Sequence, residues 1–430
     1  MVTIRSSRLI GLIGALTSVL LLAAPWASAG QQSASPPAKA PAAKSPAKPP
    51  AAKKPAAAKP PARSSAAFDK LVQEAHAARE ATRLDEAITL YGKAVAQRPD
   101  WLEGHWYLGL SYYDLDRYEL CRDSFRRITQ RDPKNGGGWS FKGLCEFRLK
   151  NYDIALEDLI KGRSLGLPQQ RDVVSVSRYH IAALLNRMEE YEESQRILHE
   201  FVLEGDDSPR IIELLGIAAL RLPVLPGELP AGRREQIMMA GRAAYFAAAR
   251  MSTAARPAFE ELLRRYPETP NVHYAYGLFL INEHPDEALE QFREELKVSP
   301  RHPWAKLQMA FEYIKRAEWE EGQRWAQEAV TEAPNLFVAR KALGQILLET
   351  GDIENAIKEL EAGVRIAPHS PTLRFTLARA YRRAGRSTDA EREQAEFTRL
   401  SRSLRRERGG PQAVGGIDLD NKAPVDEGTP

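Results

Sequence analysis

The chain has 430 residues, 43% hydrophobic and 27% charged, with a formal net charge of +4. That length excludes one compact core, which stops growing near about 250–300 residues, but allows an array whose units pack only on their neighbours. The pI near 8.9 belongs to the termini: residues 1–66 hold nine Lys/Arg and no acid, residues 402–430 balance five against five, and residues 67–401 are left about five charges negative. A nucleic-acid groove needs a contiguous basic face to release counterions, so no nucleic-acid partner is expected.

The chain opens with Arg5 and Arg8, an apolar run from Leu9 to Ala24, Pro25, and Ala27-Ser28-Ala29. This is the three-part plan of a secretory signal peptide, with cleavage expected after Ala29. The run is shorter than the roughly 20 residues of a bilayer-spanning helix; a retained anchor is the alternative. No cysteine lies near the cleavage site and the two arginines are separated, so neither a lipoprotein nor a twin-arginine signal is expected. The protein is thus expected to be exported, periplasmic or secreted. Residues 30–66 are almost wholly Pro, Ala, Lys and Ser. They cannot bury enough surface to order and are expected to form a disordered, extended linker. Lysines within residues 39–63 offer a contact to cell-wall polymer or a membrane surface, beside the plainer role of spacer.

A repeating pattern follows. In residues 101–133, Leu108-Gly109, Tyr112, Tyr118, Cys121, Phe125, Ile128 and Pro133 recur at shifted positions along most of the chain. The unit before supplies Ala75, Ala87, Tyr91, Ala94 and Pro99; the two after supply Gly143, Tyr152, Ala155 and Leu159, then Ala182, Tyr191, Ser194, Leu198 and Phe201. Small residues stand where two helices cross, bulky ones fill the gap to the next unit, and proline ends the second helix. At Ser208-Pro209 the regularity fails. A first helix containing Leu215-Gly216 ends before Pro223, and PVLPGELPAG cannot form its partner because three prolines and two glycines break a helix. One helix is therefore expected to stand unpaired beside a joint. The register returns with Ala243, Ala255, Phe259 and Leu262, then Gly277, Ala288 and Phe292, then Ala310, Gly322 and Ala326, then Gly344, Ala356 and Leu360, then Ala378, Ala390 and Phe397.

This pattern resembles the tetratricopeptide repeat (TPR), two antiparallel helices in about 34 residues. The resemblance covers roughly residues 67–402. The expected organisation is a signal peptide (1–29), a disordered linker (30–66), about four repeats (67–208), an extra helix and proline-rich joint (209–235), about five repeats (236–402) and a disordered tail (403–430). The resemblance implies an all-α, right-handed superhelical solenoid with a concave groove lined by first helices. Carried over by position, the groove residues are Trp106, Tyr113, Phe147, Tyr179, Tyr274, Asn282, Trp304, Phe311 and Lys315, with Trp304 and Phe311 expected to be the most exposed. Aromatic anchors among polar residues suit a protein or peptide segment. Family members that clamp a carboxyl-terminal carboxylate set Lys and Asn at positions 5 and 9 of one repeat; no unit here does so.

Chemistry finds little support. Gly162-Arg163-Ser164-Leu165-Gly166 matches the hydrolase G-x-S-x-G, but it falls at a helix end rather than between a strand and a helix. No H-x-x-x-H, C-x-x-C or phosphate-binding loop occurs, so no metal, cofactor or catalytic residue is expected. Cys121 and Cys145 fall on helices of successive repeats. They either form a disulfide, if the compartment is oxidising, or fill small buried packing positions. The expectation is a non-catalytic scaffold holding a protein partner in a bacterial envelope assembly. The alternative is a cell-wall- or polysaccharide-associated structural protein attached through the Lys-rich linker.

Overall fold

A computed structural model describes residues 66–167, 171–230 and 232–409. The expected signal peptide and nearly all of the linker lie outside these residues, as does the tail from residue 410. Every regular element among the described residues is helical. The chain divides into two compact units, up to Pro133 and from Lys134.

The first unit contains α1 (Ala66–Glu80), α2 (Leu84–Gln97), α3 (Leu102–Asp114) and α4 (Tyr118–Arg131). Ala75 and Ala87, both fully buried, stand at the first crossing. At the second, a Cβ added to Gly109 would lie 2.5 Å from the ring of Phe125, so only glycine lets α3 and α4 approach this closely. Tyr91, Val95 and Leu108 fill the space between pairs, with Trp101 and Tyr107 packed on them. Ala75, Ala87, Gly109, Phe125 and Tyr91 hold the places expected from the sequence, while Val95, Trp101 and Tyr107 are additions the repeat pattern did not single out.

The second unit begins with α5 (Gly136–Arg148), α6 (Tyr152–Leu165), α7 (Arg171–Arg187) and α8 (Tyr191–Leu203). It continues with α9 (Pro209–Ala219), α10 (Arg234–Ala248), α11 (Ser252–Arg265), α12 (Val272–Leu280) and α13 (Pro285–Val298). It closes with α14 (Pro303–Lys315), α15 (Trp319–Glu332), α16 (Phe337–Thr350), α17 (Ile353–Ile366), α18 (Pro371–Arg383) and α19 (Ser387–Gly409). Helix α19 reaches seven residues beyond 402, into the segment expected as disordered tail. Its charge pattern, read as an end cap, also sustains further helical turns. Antiparallel pairs repeat along the unit, and Leu307, Leu343, Ile346, Leu360 and Leu377 belong to one continuous stretch of its core. The cysteines Cys121 and Cys145 are both fully buried, and neither is a free thiol.

The helix expected to stand unpaired has no second-type helix of its own, but it packs closely on the next first-type helix. A Cβ on Gly216 of α9 would lie 1.9 Å from the Ile237 carbonyl oxygen of α10, and one on Gly241 of α10 would lie 1.9 Å from the Ile212 oxygen of α9. Two backbones this close need glycine on both sides. The small-residue rule therefore holds for this pair, but its glycines are 25 positions apart instead of the 12 that separate Ala75 from Ala87. The prolines break the helix and lengthen the turn; they do not separate α9 from the helix that follows. Both α9 and α10 end like the first helices α1, α3, α5 and α7, with a left-handed residue two positions on: Arg221 (φ 49°) and Arg250 (φ 58°) match Thr82, Asp116, Lys150 and Glu189. Helix α9 is thus an additional first-type helix, packed on the next one. Nor is the proline-rich segment slack: Arg187 donates to the Pro223 carbonyl at 3.0 Å and pairs with Glu228 at 3.3 Å, while Leu225 is buried.

Candidate partner-binding surfaces

In the first unit, Trp106 meets Phe125 edge-on at 5.4 Å and Tyr113 meets Tyr118 edge-on at 5.6 Å. Both candidate aromatics are half-buried, so each is partly committed to packing. Beside them lies a cluster the positional reading missed. Tyr91 and Tyr107 stack at 5.4 Å, and the Tyr91 hydroxyl shares a 2.8 Å hydrogen bond with His76 Nδ1. Burial holds the His76 imidazole below its ordinary pKa, so it is neutral near pH 7. The Arg79 guanidinium lies 5.2 Å from the centre of the Tyr107 ring. Burial pushes the Asp114 carboxyl up to about 6, against the pull of Arg79.

In the second unit the candidates fall into separate groups. Phe147 and Tyr179 come together on His180, at 4.6 and 5.4 Å, both edge-on. His180 Nδ1–H donates to the Val176 carbonyl at 2.8 Å, and burial lowers its pKa to about 4. Tyr274 is only 4% exposed and belongs to the core, which withdraws it as a direct contact. Trp304 and Phe311, expected to be the most exposed, are half-buried against the core instead. An amphipathic first helix turns part of these wide rings inward even where the helix lines a groove. Asn282 and Lys315 are exposed, and Lys315 pairs with Glu312 at 3.5 Å.

Trp304 nevertheless borders an open cleft of about 660 Å³, walled also by Tyr191, Arg221, Asn271, His302, Glu189 and Pro223, Pro300 and Pro303. Its centre is Arg221, whose left-handed backbone just past α9 turns the side chain between rings. The guanidinium lies 4.6 Å from the Tyr191 ring centre and 5.2 Å from that of Trp304, and it pairs with Glu192. The floor is a chain of hydrogen bonds. Asn271, itself left-handed at φ 72°, donates through Nδ2 to the Leu220 carbonyl at 3.1 Å. Its backbone N–H donates to Glu295 at 2.8 Å. Its Oδ1 faces His302 Nε2 at 2.9 Å. His302 Nδ1 accepts from the Ala305 N–H at 2.9 Å, which places the ring proton on Nε2. Burial, then the charge of Arg221, lowers the His302 pKa to about 4, so this donor stays neutral near pH 7. The cleft offers an aromatic and proline wall around two guanidiniums, Arg221 and Arg301, each held in an ion pair, a form that suits an anchoring side chain of another protein.

Among the described residues no group of three or more His, Cys, Asp or Glu is placed to hold a metal ion. The G-x-S-x-G serine lies on α6, where its hydroxyl donates to the Lys161 carbonyl at 2.9 Å, and among the described residues the element before it is the helix α5, not a strand.

The helix pairs, their small crossing residues and their closing turns agree with comparison to known families. Tetratricopeptide-repeat models match residues 72–136, 240–303 and 347–393. These are tetratricopeptide repeats. The mouse interferon-induced protein with tetratricopeptide repeats 3 is 24% identical over 160 residues, which cover 34% of this TPR chain and 40% of the mouse protein. Among solved structures, MamA matches 40% of this chain and 94% of its own at 14% identity, with a TM-score of 0.36. Yeast Tom70 matches 80% of this chain and 87% of its own at 12% identity, with a TM-score of 0.34. No helix among the described residues is long and apolar enough to cross a membrane.

Proposed function

We propose that this TPR protein is an exported, non-catalytic scaffold that holds a protein or peptide partner within a bacterial envelope assembly. The cleft of Trp304 and Arg221 is its principal contact in the second unit. The observation that carries the reading is that cleft: an aromatic and proline wall around two guanidiniums, each held in an ion pair. TPR arrays bind protein partners generally, and the secretion-type amino terminus supports the envelope. The test is co-purification from envelope extracts with Trp304→Ala, which keeps Arg221 on Tyr191. The variant is expected to lose the partner while circular dichroism shows its helices retained, at some cost in melting temperature because Trp304 also packs on the core; full retention of the partner would remove the cleft from the account.

A second reading is supported by the composition of residues 30–63, whose lysines suit anionic wall polymer or lipid. Deleting that segment releases the protein from envelope pellets if the linker is the attachment, and leaves partner capture intact if the repeats are. Export into an oxidising compartment also favours a disulfide between Cys121 and Cys145. Non-reducing peptide mapping is expected to yield one linked peptide, and two alkylated thiols would exclude it.

A further inference from the structure

Arg79 lies in the last turn of α1 and is 6% exposed. Among the described residues its guanidinium makes no hydrogen bond and no ion pair, and its Nε is fully enclosed without an acceptor. The Tyr107 face lies 5.2 Å away, and the nearby Asp114 carboxylate feels its charge without forming an ion pair with it. A buried charge without a counter-ion is disfavoured relative to one that is paired. The oriented carbonyls at the end of α1 offset part of that. Arg178 in the second unit shows the usual solution at similar burial: Glu204 takes it bidentately at 2.8 and 2.7 Å.

We propose that Arg79 is an anchor for a carboxylate of a bound protein segment, seated on the Tyr107 face. The proposal rests on the reading of the chain as a protein-binding scaffold and names the chemistry the first unit recognises. A guanidinium presents paired donors in a plane that matches a carboxylate. Its terminal nitrogens, unlike Nε, are not sealed. Asp114 from α3 feels the Arg79 charge without pairing with it, and Glu80 and Glu103 act on the same cluster. That negative surround favours a singly charged carboxylate over a doubly charged phosphate. Arg79 stands at neither of the positions at which relatives clamp a chain terminus.

The groups facing Arg79 are His76 and Glu80 on α1, Tyr91 on α2, and Glu103, Tyr107 and Asp114 on α3. Of these, Asp114 titrates near 6. Between pH 7.5 and 5.5 it loses its negative charge while a ligand carboxylate, with an ordinary pKa near 4.3, keeps its own. Carboxylate affinity at Arg79 is therefore expected to rise as pH falls across that window, and Asp114→Asn to raise it about threefold at pH 7.5 and flatten the pH dependence.

The full-length protein labelled with 15N-arginine reports directly, through the side-chain Nε–H resonance of Arg79, assigned with Arg79→Lys. Acetyl-glutamate amide presents a side-chain carboxylate and acetyl-alanine a main-chain one. A saturable shift with either supports the proposal, and their relative affinity tells which source the site prefers. No shift with either overturns it. So does an equal response to acetyl-glutamine amide or to inorganic phosphate. The titration needs no partner and does not involve Trp304, so its failure is separable from failure of the cleft.

Discussion

Arg79 and Arg221 occupy similar surroundings and differ in one respect. Each is largely buried and lies over aromatic rings, Arg79 over Tyr107 and Arg221 over Tyr191 and Trp304. Arg221 has Glu192, whereas Arg79 has no carboxylate within ion-pair distance among the described residues. The first is a finished structural element that shapes a cleft from below. The second has carboxylates near it but none paired with it, which leaves its donors open to another group. Burial on an aromatic face does not by itself distinguish a structural arginine from a binding one; the counter-ion does.

The largest way to break the comparison is to remove what holds Arg221. Gly216→Ala places a methyl 1.9 Å from the Ile237 oxygen. It is expected to cost about 3 kcal/mol or more in urea unfolding, because backbone is in the way. Gly92→Ala, with nothing within 4 Å of its Cβ, is the control, expected to stabilise α2 by up to about 1 kcal/mol. Arg221→Met comes next, at about 3 kcal/mol, since it strands Glu192 and leaves Tyr191 and Trp304 without the plane between them. Arg79→Met is expected to change stability by less than about 1 kcal/mol, in either direction, because an apolar chain of similar length replaces a charge with no partner. Equal losses for the two arginine variants would show that Arg79 is as structural as Arg221.

The repeats were legible in the sequence because their signal is steric and local. Ala75 with Ala87, Gly277 with Ala288 and Gly344 with Ala356 have to be small wherever two helices cross at that spacing. Gly216 and Gly241 obey the same rule, but the prolines between them carried the second glycine out of the expected window, so α9 read as a helix without a partner. Among the candidate contact residues, Trp304 was legible as a first-helix aromatic and does border the cleft. Tyr274, at an equivalent kind of position, was not separable from it, since which ring turns inward is decided by packing against His302 and Phe292. Arg79, Arg221 and Asn271 were not legible at all. Their roles come from a missing counter-ion, a left-handed backbone and hydrogen bonds between successive pairs, none of which has a period in the sequence.

The central claim, that the Trp304 cleft holds a protein partner, is tested most directly by photo-crosslinking in cells from position 301, at the rim of the cleft, with Trp304 left in place. A matched probe at Leu203, 74% exposed and outside the cleft, serves as the reference. The account predicts one discrete adduct from position 301 that is lost when Trp304→Ala is added to the same chain. The same adduct at equal yield from Leu203, or none from position 301, would contradict it.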